Sequence, residues 1–515
     1  MNKIVAINPT TNLSICKNVT LDNTYTDTMT FTDATAQHTF FKSKEKYFFE
    51  QLSPIDIKNN IIRVNVNANN LYDCNYIIFQ NSNWSAKYFY AFITDIEYIA
   101  PEVSYITFEI DVLQSWYFDI KYGISYIERE HVNDDIAGHY TKPENLPLGE
   151  YVCSGLEIPN LGKKGVITAE AGQLTSETEK TTNGIFSGLK YYCYEVAEDG
   201  SIPALNDELL TLQNEGKSDN LVSMSMFPYD FFNRPIGDGS ADWITKGSFK
   251  DFEYTPSHET LDGYTPKNRK LLTFPYSFLY CDNSQGGNCA FRWEFFGNST
   301  IKFRIYGNIS PQPELVLIPQ NYAGLINNLD YRLTLSNFPM CSWANDTYRA
   351  FLAQNATNLG IESLASMGQI ALGGASLASG NVAGAMSVVG GIGGLASVAR
   401  TVEQAKIAPR QTHGTQGSNT MYSNGLFGFR FCKKTIRKEY AKMIDDFFTK
   451  FGYNVDTLKT PNITGRTSWN FVKTHSCEVS GNIPFNHIAK IKQIFNSGIT
   501  FWHGDYIGDY SRDNS

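Results

Sequence analysis

Charge is scarce in this sequence of 515 residues, with Asp, Glu, Lys and Arg together at 18%. A disordered chain would be rich in charge and poor in aromatics, and here aromatics reach 14%. Basic excess is missing as well: 43 Lys and Arg stand against 52 Asp and Glu, a net charge of −9. That argues against a general nucleic-acid binder, which needs cations for phosphate contacts. An acidic surface suits a wall past which DNA slides, and equally an ordinary soluble acidic protein. The nine cysteines (16, 74, 153, 193, 281, 289, 341, 432 and 477) are odd in number and scattered, with no CxxC. Zinc-ribbon and disulfide-framework patterns are therefore excluded, and reduced thiols are expected. Cys281 and Cys289, which flank the loop 282–288, could close a hairpin disulfide, but free thiols are the preferred reading. The chain has no HExxH, GxSxG or GxxxxGK[ST] motif. Its eight histidines show no metal-ligand spacing, so neither a metal nor a cofactor is expected. Near the start, four consecutive apolar residues fall short of a secretory h-region, so no secretion signal is expected. No repeat of solenoid period is visible.

What is abundant is strand-forming aromatic residue, 30 Tyr and 34 Phe. Ile62, Val64 and Val66 alternate with polar residues, the period of a half-buried strand. Ile106, Phe108, Ile110 and Val112 form one face over 103–112, with Glu109 and Asp111 on the other. With 84–99 before it and Pro101 between, this predicts an antiparallel meander. Residues 150–265 read as loop-rich with short strands. Strand character returns over 270–320, with a turn at Gly286-Gly287. Near the end the period changes. Tyr440, Met443, Ile444, Phe447, Phe448 and Phe451 predict a core-facing helix ended by Gly452, and Ile488, Ile491, Ile494 and Phe495 a second one beginning near Pro484. The expected fold is mainly β, a multidomain β-barrel or β-sandwich with some C-terminal helix. Its expected parts are an N-terminal β domain (1–150), a loop-rich middle (151–265), a second β region (266–345), an apolar loop with flanks (346–420) and an α+β region (421–515).

The most informative stretch is 363–399, which carries no charged side chain across 37 residues. It holds 9 Gly, 8 Ala and 6 Ser among twelve large apolar residues: Leu364, Met367, Ile370, Leu372, Leu377, Val382, Met386, Val388, Val389, Ile392, Leu395 and Val398. Each interior Gly costs a solvated helix about 1 kcal/mol against Ala, so nine approach the ~5–15 kcal/mol of a whole domain. A flexible linker, conversely, would not carry a dozen large apolar side chains. In a bilayer the helix is enforced despite glycine, and about 20 apolar residues span the hydrocarbon layer. The stretch allows one tilted span or a hairpin turning near Gly380-Asn381. Gly380 with Gly384, and Gly390 with Gly394, are small-xxx-small pairs that let membrane helices approach. The other reading is a glycine-rich plug buried inside an oligomer. The two are compatible if the segment is stored in one place and released to another. Until then it must be covered, since large exposed apolar patches associate, and sister copies around a symmetry axis would cover it.

The densest polar cluster is SYIEREHVNDD at 125 to 135, with Glu128, Arg129, Glu130, His131, Asp134 and Asp135. These types could ligate a metal or supply paired carboxylates for glycoside hydrolysis. The simpler reading is a strand end and turn satisfied by local ion pairs. This cluster, followed by PENLPLGEY (143 to 151), preceded by FEIDVLQSWYFD (108 to 119) and echoed by PKNRKLLTFPYSFL (266 to 279), resembles the distal tail knob proteins of small picovirus-type (Salasmaviridae-like) podoviruses infecting Gram-positive bacteria. The resemblance implies a homo-hexameric tube in the virion tail tip, in contact with other tail proteins. Genomic double-stranded DNA would pass through its lumen without sequence-specific binding. Residues 363–399 would plug the distal mouth, then enter host cytoplasmic membrane lipid and form the passage for DNA. The cluster at 128–135 would then be structural, and the protein not an enzyme. Two rival classes remain: a tail-associated wall-degrading enzyme using Glu128, Glu130, Asp134 and Asp135, and a receptor-binding adhesin.

Overall fold

In the computed structural model the described residues are 11–52, 59–81, 87–171, 189–199, 202–215, 220–233, 242–243, 246–296, 300–323, 332–342 and 427–514. They form two compact units, each assembled from separated stretches of chain. The first comprises Met1–Leu148, Tyr264–Leu271 and Lys438–Ser515; the second comprises Gly149–Gly263 and Leu272–Arg437.

The first unit is built on a six-stranded antiparallel sheet in the order Glu45–Leu52, Thr11–Lys17, Cys74–Asn81, Tyr88–Ala100, Val103–Ile110 and Ile61–Val64. The expected meander is its second half. Alternate residues of the central strands serve two cores: Tyr76, Ile78, Tyr90 and Phe92 enter one, and Ile77, Phe79, Phe89 and Ala91 the other. A sheet covered on both faces explains why Tyr76 to Phe79 reads as a continuous apolar run. A second, five-stranded sheet runs Asp27–Met29, Ile499–Trp502, Trp469–Ser476, Ser125–Glu130 and Tyr453–Lys459, parallel only between its first two strands. Its Val472, Ile499 and Phe501 share the first core with Ile491, Ile494 and Phe495 of the helix Phe485–Ser497.

The two C-terminal helices form where the period places them, at Lys438–Phe451 and Phe485–Ser497, and Gly452 and Gly498 follow them at φ 65° and 96°. Such left-handed positions favour glycine. One expectation fails: Met443 is 47% exposed, and the core-facing residues of the first helix are Ala441, Ile444, Asp445 and Phe448. The predicted stripe was centred one residue off, on the large side chains rather than on the small Ala441. Three further helices lie where strands or loops were expected. Asp33 caps Ala34–Ser43 by accepting the Ala36 N–H at 2.8 Å. Asp111 ends the strand at Ile110 by capping Val112–Trp116, so Val112 is buried on a helix and not on the strand face. Pro203–Asn214 lies in the middle region.

The second unit holds that middle region in a regular frame. A five-stranded sheet orders Asp242–Trp243, Leu189–Glu195, Lys164–Ala171, Leu221–Pro228 and Met340–Ser342. One four-stranded sheet joins Phe249–Tyr254, Ile301–Asn308, Glu314–Pro319 and Leu333–Leu335; another joins Tyr151–Glu157, Arg430–Ile436, Ser277–Asp282 and Asn288–Phe291. Phe227, Phe291, Phe303 and Phe431 meet in one core. The expectation of reduced thiols throughout is corrected here: Cys153 and Cys432, on adjacent strands, are disulfide-bonded across a sequence separation of 279. Cys281 and Cys289 do face each other across the Gly286-Gly287 hairpin, but both remain thiols. Scattered spacing conceals a bond that only strand pairing creates.

Candidate functional site

The strand Ser125–Glu130 lies inside the second sheet of the first unit, so its polar side chains must find partners within the protein. Glu130 is fully buried; Lys459 pairs with it, and it accepts the Asn462 N–H at 3.2 Å. Burial pushes its carboxyl up, and Lys459 opposes that only in part. Glu128 takes Lys473 at 2.8 Å. His131 is 4% exposed and uses both ring nitrogens. Nδ1 accepts the Phe471 N–H at 2.8 Å, which places the proton on Nε2, donated to the Thr449 carbonyl at 3.0 Å. Burial, with lesser contributions from Arg466 and Arg129, pushes His131 down to about 3. A neutral imidazole with both nitrogens engaged is neither a free base nor a metal ligand.

Two of the three flanking motifs converge on this strand. Glu144, from PENLPLGEY, is buried and receives Lys270 Nζ at 2.5 Å, the Arg129 guanidinium and the Asn454 N–H at 3.1 Å. Lys270, from PKNRKLLTFPYSFL, has a side chain only 1% exposed and lies 5.3 Å from the Tyr453 ring centroid. Burial lowers its affinity for the proton, and Glu144 works against that shift. Asp135 takes the Tyr453 hydroxyl at 2.6 Å and the Arg269 N–H at 2.9 Å. Asp134 lies outward, bonded to Tyr140 at 2.7 Å and His139 at 3.2 Å; the Tyr140 hydroxyl first, then His139, hold its carboxyl low. Asp445 receives the Tyr264 hydroxyl and the N–H groups of Lys267 and Asn268 at 2.6–2.9 Å. In the fourth motif, Asp111 caps its helix and takes the Tyr76 hydroxyl at 2.8 Å; burial pushes it up to about 6.

Glu128, Glu130, Asp134 and Asp135 are thus each committed to a different partner. The arrangement is a clasp joining strand 125–130, segment 142–148, segment 264–271 and the C-terminal region. Glu144, Lys270, Asn268, Tyr453 and Asp445 are members that residue types alone did not single out. Asp445 left one signal, an acid on the core-facing side of an apolar helix. Among the described residues no three His, Cys, Asp or Glu converge as a metal site, and no helix is long and apolar enough to cross a membrane. Residues 363–399, with every apolar and glycine position singled out there, lie outside the described residues. The nearest described strands on either side, Met340–Ser342 and Arg430–Ile436, both belong to the second unit.

A mostly β chain whose polar motifs serve as internal ties has the make-up of a structural protein, and comparison with known proteins assigns it to the phage tail. Residues 9–121 match the N-terminus of the caudoviral major tail protein family. Residues 242–515, over half the chain, match the C-terminal domain of the tail knob protein gp9 of Bacillus phage phi29. The chain belongs to this phi29 gp9 tail knob family. It is 29% identical to the tail knob protein gp9 of Bacillus phage phi29, the alignment covering 98% of each chain. It is equally similar, at 29% and 98% of each chain, to gp9 of Bacillus phage PZA. The solved tail knob protein gp12 of bacteriophage C1 shares its fold, with a TM-score of 0.63 over 98% of this chain and 99% of that one at 14% identity. The relatives are named as tail knob proteins, which fits a clasp that holds structure rather than a centre that cleaves bonds.

Proposed function

We propose that six copies close into a tube at the tail tip, that genomic DNA leaves through its lumen, and that residues 363–399 plug the distal mouth before entering the host cytoplasmic membrane. The observation that carries this reading is a stretch of 37 residues without charge, rich in Gly and Ala yet holding twelve large apolar side chains, inside a tail knob protein. A closed ring supplies the cover that such a segment needs before release. Six copies would carry a formal charge of −54, six times −9, which suits a lumen that lets DNA slide.

The test is Val389→Asp. A carboxylate at the centre of a membrane helix costs about 2.5–3.5 kcal/mol on insertion scales, and the penalty recurs in every copy. Hexamers and cell attachment should be normal, while liposome leakage and genome delivery are lost. Deleting 363–399 should act alike. If Val389→Asp hexamers permeabilise liposomes as well as the parent at acidic and neutral pH, the segment is not the membrane element, and the plug alone would remain.

A further inference from the structure

The first unit carries a second polar and aromatic locus that the clasp does not use. Two hollows adjoin there, sharing Lys87 and Asp119. One is lined by Phe79, Phe89 and Trp116, with Asn482, Asn486 and His487 on another wall. The other is lined by Tyr88, His38 and Phe118. We propose that these hollows form one groove that binds a neutral, linear saccharide, so that the tail knob protein holds cell-wall glycan as well as forming part of the tail. This goes beyond the tube and membrane reading and does not depend on it.

Charge is the first argument. Lys87 pairs with Asp119, and Lys490 with Glu109, so the two cations and two carboxylates of the larger hollow cancel. The Trp116 Nε1–H is donated to His487 Nδ1 at 2.8 Å, which leaves the imidazole proton on Nε2. Burial, helped by Lys490, lowers the affinity of His487 for a second proton, in line with Nδ1 acting as an acceptor. A groove without net charge gives a phosphate polymer or DNA no electrostatic hold.

The second argument is the form of the lining. A pyranose has a C–H face and an edge of hydroxyls, and it is bound by an aromatic face together with planar donors and acceptors. Among the aromatic side chains along the hollows, Phe79 and Phe89 are buried and stack on each other. The Lys87 ammonium takes one face of Trp116 at 3.7 Å from the ring centroid, and Tyr88 and His38 take a face of each other at 3.8 Å, so the platform for a sugar falls to Phe118. Phe118 is 46% exposed, an aromatic side chain that this unit leaves half open. Asn482 and Asn486 offer exposed amides, each both donor and acceptor. Mixed apolar walls with a few polar groups fixed by ion pairs are the usual make-up of a small-ligand site. Two adjoining hollows ask for more than one sugar ring.

The test uses the full chain in its assembled state and a panel of neutral oligosaccharides: chitohexaose, cellohexaose and maltohexaose. Saturation-transfer NMR and calorimetry are run at low and high salt, with a polyanionic glycerol-phosphate polymer as a separate arm. The expected result is binding of at least one neutral oligosaccharide, insensitive to salt. Phe118→Ala and Asn486→Ala should each weaken it about fivefold or more, the loss of one contact worth about 1 kcal/mol. Both side chains are exposed in the single chain, and size-exclusion chromatography confirms that each variant assembles as the parent does before binding is read. Three results would overturn the proposal: no neutral member binds, binding is the same in both variants, or only the polyanion binds with steep salt dependence. Liposome leakage is not read here, so failure of the tube proposal leaves this outcome interpretable.

Discussion

Asp445 grips Asn268 across 177 residues of sequence, accepting its backbone N–H at 2.9 Å and its side-chain amide at 2.8 Å. This contact holds segment 264–271 against the helix Lys438–Phe451, and through Lys270 it places a cation beside Glu144. The opening part of the motif at 266–279, up to Leu271, is therefore a tie within the first unit.

Asp445→Ala leaves the N–H groups of Lys267 and Asn268 without their acceptor in a largely buried place. The expected loss is about 2–4 kcal/mol in the unfolding transition of the first unit. Asp445→Asn keeps one acceptor oxygen and should recover part of it. Chemical denaturation followed by tryptophan fluorescence checks both.

Removing one charge of a buried group of three costs more than removing two. Glu144→Gln takes the carboxylate away from Lys270 and Arg129, and a loss of about 3–5 kcal/mol is expected. Adding Lys270→Met removes one of those two buried cations, so the double variant should be no less stable than Glu144→Gln alone. A double-mutant cycle measures this coupling. A double variant with the full sum of the two single losses would refute the pairing.

His131 gives a pH dependence with a definite sign. Its folded value, about 3, lies below the ordinary 6.5, so the unfolded chain takes up the proton first. Its contribution to stability is complete above about 6.5 and is lost as pH falls from there towards 3, at up to about 1.4 kcal/mol per pH unit. Glu130, pushed up by burial, acts in the opposite direction, which makes the difference between parent and variant the quantity to measure. His131→Gln can keep a donor and an acceptor but cannot titrate. The stability difference between the two proteins should narrow, or invert in favour of the variant, between pH 6.5 and 4.

The Cys153–Cys432 bond predicts a cross-linked peptide in a non-reducing digest, with Cys281 and Cys289 open to alkylation after unfolding. Cys153→Ser with Cys432→Ser should lower stability by about 2–4 kcal/mol, read as a shift of the thermal transition of the second unit. Recovery of Cys153 alkylated without prior reduction would show that the bond is absent.

Much of the fold was legible because burial imposes a local period. Ile62 and Val64, Ile106 and Phe108, and the stripe Ile491, Ile494 and Phe495 all announce their buried face at steps of two, three or four residues. Helices with weak stripes were lost. Ala34–Ser43 buries only Gln37 and Phe41, and Val112–Trp116 is a single turn set by the Asp111 cap. In the clasp, the run at 125–135 and its flanking motifs stood out, but the partners of each carboxylate did not. By itself the sequence determined the mainly β class, the two C-terminal helices, the segment 363–399 without charge and the family. The tertiary structure alone decided that Asp445 serves Asn268, that Lys270 serves Glu144 and that Cys153 meets Cys432. Periodicity is a property of neighbours along the chain. These pairs lie 177, 126 and 279 residues apart, and what joins them is the need of a buried polar group, or a thiol on an adjacent strand, for whatever the fold brings within reach.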